Sequence, residues 1–128
     1  MEAKVIRTQE LRALSKVPGD HPLLRLASGA LWVNAVVKAP AMPSVAEVHD
    51  SETDLYLVVE GEADVQLGGA LVGARTIAPG QHRGEAVEGA EHHRIGAGDL
   101  VLIPAGTAHR VDVRNGHLTY AVIKVACR

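Results

Sequence analysis

In the stretch Gly98-Asp99-Leu100-Val101-Leu102-Ile103-Pro104-Ala105-Gly106-Thr107-Ala108-His109, two turn signals bracket one short strand and lead into another. Gly98-Asp99 is the first turn. Leu100 to Ile103 is an unbroken apolar run of strand length and is expected to be buried. Pro104 to Gly106 is a tight turn, with proline fixing one backbone angle and glycine supplying a conformation other residues resist. His109 then opens a strand and shares its face with Val111 and Val113. An imidazole at the head of an apolar face needs a partner, and a metal ion is one candidate.

Upstream lies Glu47-Val48-His49-Asp50-Ser51-Glu52-Thr53-Asp54-Leu55-Tyr56-Leu57-Val58-Val59-Glu60-Gly61. Strand geometry puts Glu47 and His49 on one face. Asp50, Ser51 and Glu52 read as a solvated turn. Asp54 opens the next strand and returns beside His49 if the two strands pair as neighbours. Two carboxylates and an imidazole then converge on one point, a donor set suited to a divalent metal. Tyr56 shares the face of Asp54 and is a candidate pocket wall.

Outward from these stretches, strands are expected over residues 23–27, 30–38, 45–49, 55–59, 63–67, 100–103, 109–113 and 118–125. Pro40 and Pro43 close the second of these, because proline cannot donate into a ladder. Glu60-Gly61 is expected to turn the chain. Asn115-Gly116 is the strongest hairpin signal and is expected to join the last two strands. No segment shows a long 3.6-residue period, so α/β folds are disfavoured. Many short strands with regular turn signals predict an all-β sandwich or barrel. Thr8 to Leu14 suits one short helical turn with Thr8 as N-cap. The whole chain, 1–128, reads as one domain, with an arm over 1–20 and a barrel over 22–127. Within it, 73–97 is an irregular excursion with short strands near 81–83 and 91–95, covering a barrel mouth or building an oligomer contact.

The two quoted stretches resemble the paired signature motifs of the cupin superfamily. The first family motif is H-x-H, three or four residues, E, six residues, G. This chain has Glu47-x-His49, four residues, Asp54, six residues, Gly61. The second is G, five residues, P-x-G, two residues, H, matched here at Gly98, Pro104, Gly106 and His109. The resemblance is to the small single-domain cupins. It implies a double-stranded antiparallel β-helix, or jelly-roll barrel, with one divalent ion inside. Carried over by position, the ligands would be Glu47, His49, Asp54 and His109. Glu47 stands where the family has its first His, and Asp54 where it has Glu, one methylene shorter. Two imidazoles and two carboxylates favour Mn²⁺ or Fe²⁺, with Zn²⁺ or Ni²⁺ also in range. The resemblance further implies a small-molecule ligand and a homodimer.

That frame leaves function open. The leading expectation is a small-molecule metalloenzyme, a dioxygenase, isomerase or related catalyst, in which a loosely held Glu47 could double as base. The alternative is a non-catalytic binder or sensor, metal-free or not. A third is an assembly role for the barrel.

Composition narrows the classes. The chain is 47% hydrophobic but only 2% aromatic, with no Phe, so its core is aliphatic. Its formal net charge is -2, which leaves no basic field for nucleic acid and few rings to stack on bases. No apolar run approaches the roughly 20 residues that span a bilayer. Residues 1–12 lack an apolar signal core. A soluble, cytoplasmic protein is therefore expected. The single cysteine, Cys127, has no internal partner. Trp32 and Asn34 share one strand face, as do Tyr120 and Lys124; Trp32, Asn34 and Tyr120 join Tyr56 as pocket candidates. His92 and His93 are adjacent, point to opposite faces and read as surface residues. His82 with Arg83 reads as exposed loop, and His21 and His117 as solvated.

Overall fold

The computed structural model describes residues 3–127. A short helix, α1 (Thr8–Arg12), precedes twelve strands. These are β1 (Gly19–Arg25), β2 (Leu31–Lys38), β3 (Ala46–His49), β4 (Glu52–Leu67), β5 (Ala70–Val72) and β6 (Arg75–Ala78). They continue as β7 (Gln81–Gly84), β8 (Ala86–Glu88), β9 (Glu91–Gly96), β10 (Leu100–Ile103), β11 (His109–Asp112) and β12 (Leu118–Ala126). Every pairing is antiparallel.

The long strand β4 passes through two sheets. Its first part pairs with β12 and β10, and β2 and β1 extend that sheet beyond β12. Its second part pairs with β11 and β9. Beyond β11 the second sheet continues through β3, β7 and β6. β5 and β8 form a separate ribbon. This is the expected all-β, double-stranded β-helix of antiparallel strands with a short N-terminal helical turn.

The switch between sheets lies at residues 59–61. Thr119 pairs with Glu60 while Tyr120 pairs with Val58, so Val59 is an extra residue in β4. Such a bulge reverses which side chains face inward. Tyr56 and Val58 are buried in the main core before it, Ala63 and Val65 after it. Val59 instead packs outward with Leu11, Ala35 and Ala121, beneath α1. Gly61 has φ +90°, and a Cβ there would overlap the His117 carbonyl. Glu60-Gly61 therefore bends one continuous strand, where a turn between two strands was expected.

Five other expectations change. Leu100 to Ile103 is not buried throughout: Val101 and Ile103 face the core, while Leu100 and Leu102 are exposed, because alternate residues of a strand point to opposite faces. β11 and β12 flank opposite sides of β4 and do not pair, so Asn115-Gly116 carries the chain between sheets without closing a hairpin. β3 pairs with β11 and β7, not with β4. The 73–97 segment is not only an excursion: β6, β7 and β9 are built into the second sheet. Thr8 is the first helical residue, behind Arg7, and no side chain caps the helix.

Candidate metal centre

The side chains of interest meet between the two sheets. Glu47 and His49 point inward from β3 with two-residue spacing. His109 lies directly across from Glu47 in the β11–β3 register. Asp54 comes from β4 where that strand pairs with β10 and β12, so it faces His49 across the barrel rather than from a neighbouring strand.

Each imidazole approaches both carboxylates. His49 Nε2 is 3.4 Å from Glu47 Oε2 and 3.6 Å from Asp54 Oδ2. His109 Nε2 is 3.7 Å from the same Glu47 oxygen and 3.9 Å from the same Asp54 oxygen. Ligand atoms on a tetrahedral ion with bonds of about 2.1 Å stand roughly 3.4 Å apart, so the separations of the imidazoles from each carboxylate are of the right size for an ion between them. Glu47, His49 and His109 each offer an atom within 4.8 Å of the others, a Glu/His/His group that could hold an ion; Asp54, expected as the fourth ligand, is not part of that group and is engaged by Lys124 instead.

The tautomers point the same way. His109 Nδ1 lies 3.0 Å from the Thr107 carbonyl, which can only accept, so Nδ1 carries the proton. In the neutral ring His109 Nε2 is then the lone-pair nitrogen, and it is buried with no hydrogen-bond partner. An orphaned buried acceptor is costly unless something occupies it. His49 Nδ1 is 2.5 Å from Gln81 Oε1. Gln81 Nε2 in turn donates to Glu52 Oε2 at 2.6 Å, which fixes the amide so that its oxygen accepts from His49. This is the outer support that metal-bound histidines use.

The carboxylates are countered individually. Lys124 Nζ donates to Asp54 Oδ1 at 2.9 Å and lies 3.7 Å from Glu52 Oε1. The Asp54 side chain is only 2% exposed. Glu47 is more open, at 29%, with Oε1 3.7 Å from Arg83 Nε. Burial opposes ionisation of Glu47, but the two imidazoles outweigh it and hold the carboxyl well below its usual range. Burial also opposes charging of His49, yet the Glu47 contact, helped by Gln81 and Asp54, raises it above 6.5. Tyr56 and Tyr120 are pushed far up, chiefly by burial, and stay protonated. Their rings pack at 4.9 Å.

A cavity of about 310 Å³ opens over the centre. That is near the lower end of the roughly 300–1,000 Å³ of small-molecule pockets. Trp32, Asn34, Tyr56 and Tyr120 all line it, together with Glu47, His49, Asp54 and His109. So do Gln81, His82 and Arg83 of β7, of which His82 and Arg83 were expected in exposed loop. His82 contacts Asp50 Oδ2 at 2.8 Å and Thr76 Oγ1 at 2.9 Å. Glu52, read as solvated, turns inward to Gln81. His117 also has a partner, Glu60 Oε1 at 2.8 Å. Gln81 and Lys124 were the sequence's blind spots as ligand supports. Lys124 shared a face with Tyr120, but only pairing with β4 places it on Asp54.

No protein-family model matches the chain, and no curated protein does. Solved structures do. A Bacillus halodurans protein is similar over 99% of this chain and 83% of its own, at 19% identity and TM-score 0.72. An RmlC-like cupin family protein with a double-stranded β-helix fold from Methanocaldococcus jannaschii covers 87% of this chain and 82% of its own, at 18% identity and TM-score 0.57. The DMSP lyase DddQ from Ruegeria pomeroyi matches 75% of this chain at 20% identity and TM-score 0.53. The chain spans 38% of that lyase's length. These likenesses establish the cupin fold. Among the described residues, no helix is long and apolar enough to cross a membrane.

Proposed function

We propose that this chain is a divalent-metal cupin whose ion is held by Glu47, His49, Asp54 and His109 and which transforms a small oxygen-bearing molecule in the cavity above. The carrying observation is the unpartnered Nε2 of His109, aimed with His49 Nε2 at two carboxylate oxygens. Two imidazoles and two carboxylates suit Mn²⁺, Fe²⁺, Ni²⁺ or Zn²⁺. When bound, such an ion supplies Lewis acidity to an oxygen of the ligand.

The chain's own residues would do the rest. Both Glu47 oxygens already have neighbours, the imidazoles on one side and Arg83 on the other. We therefore assign Glu47 as ligand and not as base. Tyr56 and Tyr120, kept neutral by burial, offer hydroxyl donors that orient the bound molecule. Trp32, Val36 and Val122 give the cavity apolar wall that excludes water from part of the site. The likeness to a DMSP lyase supports a catalytic reading, since one protein with this frame is an enzyme. Isomerase and dioxygenase chemistry fit the same donor set.

Elemental analysis of protein purified without added metal or chelator tests the reading. Near-stoichiometric transition metal, absent from a His49→Ala/His109→Ala variant, is the expected result. A metal-free protein that takes up none of the four ions on titration would overturn it.

A further inference from the structure

Two arginines on β6 and β7 lie beside the centre, and neither is among its ligands. Arg83 stands opposite Glu47 in the β3–β7 register, and Arg75 stands opposite Arg83 in the β6–β7 register. Directly opposed residues share a sheet face. A lateral row therefore runs Arg75, Arg83, Glu47, His109 from the edge of the second sheet to the centre.

Two guanidinium groups opposed across a strand pair repel each other. Among the described residues the Arg75 side chain has no ion pair or hydrogen bond. Arg83 has only the long 3.7 Å approach to Glu47, and its Nε is buried without a hydrogen-bond partner. The acids nearest Arg83 are engaged elsewhere, Asp54 by Lys124, Glu52 by Gln81 and Asp50 by His82, while Asp20 enters the cavity from β1 and has no ion pair with either arginine. The arrangement lacks an anion, and Arg83 lines the cavity that reaches the centre.

We infer that Arg75 and Arg83 form an oxyanion clamp at the cavity mouth, so that the ligand carries a carboxylate or phosphate head group. Guanidinium groups suit both, because their fork of donors matches paired oxygens. The head group would dock at the sheet edge while the body of the ligand lies along Trp32 and Ile77 toward the histidines. The clamp uses none of the four ligand residues, so it stands whether or not an ion is bound.

The probes are benzoate, phenyl phosphate and neutral benzamide, titrated calorimetrically into as-purified and chelator-treated protein. At least one of the two anions should bind in both forms, with benzamide much weaker. Preference between benzoate and phenyl phosphate identifies the head group. Arg83→Gln and Arg75→Gln should each weaken anion binding roughly tenfold or more, as expected for loss of a charge-assisted pair. Metal content of the Arg75→Gln variant should match the parent. Arg75 is exposed, so its variant should fold even if Arg83→Gln does not. It should also melt no lower than the parent without anion, since it relieves a like-charge pair. The inference is overturned if neither anion binds, if benzamide binds as well, or if Arg75→Gln leaves anion affinity unchanged. Loss of the metal reading would show separately, as absent metal in the parent protein.

Discussion

Lys124→Met isolates the charge balance at the centre. The substitution keeps an unbranched apolar stem and removes one ammonium. In metal-free protein it leaves Asp54, with a side chain 2% exposed, without the donor now 2.9 Å from Oδ1. Removing one partner of a buried ion pair costs about 3–5 kcal/mol. Lys124 itself is 18% exposed, so the lower end applies, about 3 kcal/mol. For a domain of this size that is a fall in Tm of roughly 10 °C. With an ion bound, Asp54 keeps a cation at Oδ2, and the loss should shrink to about 1 kcal/mol, that of a partly exposed pair. The difference of about 2 kcal/mol must appear in the metal equilibrium too, so the variant should bind the ion roughly 30-fold tighter. Thermal melts in chelator and in excess Mn²⁺ or Zn²⁺, with a metal titration of each protein, measure both sides of the cycle. Equal falls in Tm with and without metal, at unchanged affinity, would refute the assignment of Asp54 as a ligand.

Gln81→Leu removes the acceptor on His49 Nδ1 and should weaken metal binding by roughly 10- to 100-fold with little loss of fold, checked by competition with a chelating dye. Metal-free and metal-bound protein should respond to pH with opposite signs. Glu47, depressed, contributes stability above its usual range near 4.5 that persists until strong acid, so it is constant across neutral pH. His49, raised, contributes stability that is complete below 6.5 and lost as pH rises through its folded value. Chelated protein should thus melt lower as pH climbs from 6.5, while metal binding, which needs neutral imidazole, strengthens over the same window. Melts that move in the same direction with and without metal would contradict this. Gly61→Ala should cost at least about 3 kcal/mol in urea unfolding, since it combines a left-handed backbone with overlap on the β12 entry loop.

The fold was legible because its turns are written in few residue types. Gly98, Pro104 and Gly106 punctuate the chain where backbone sterics leave little choice, and aliphatic runs between them have strand length. The strand partners were less legible. Asn115-Gly116 has the local chemistry of a hairpin, yet β4 lies between the strands it joins, and only the global packing decides that. The β4 bulge was hidden for a related reason. Leu55 to Val59 and Ala63 to Leu67 each alternate correctly, but the phase between them depends on one extra residue, Val59. Glu60-Gly61 therefore looked like a turn while acting as a bend.

The same division runs through the site. Glu47, His49, Asp54 and His109 sit at motif spacing, and the fold gathers Glu47, His49 and His109 into one group, while Asp54 reaches His49 across the barrel and not from a neighbouring strand. Their supports could not be named, because Gln81 lies in the least patterned segment and Lys124 on the last strand. Both become neighbours of the centre only through sheet pairing: β7 against β3, and β12 against β4. A family site with three imidazoles and one carboxylate needs less countercharge than this one, where a second carboxylate replaces an imidazole. Lys124 on Asp54 and Arg83 near Glu47 supply a cation beside each carboxylate. The departures from the family motif and the cations that sequence left unexplained are thus two sides of one electrostatic arrangement. Its energetic signature is a lysine that matters most when the ion is absent.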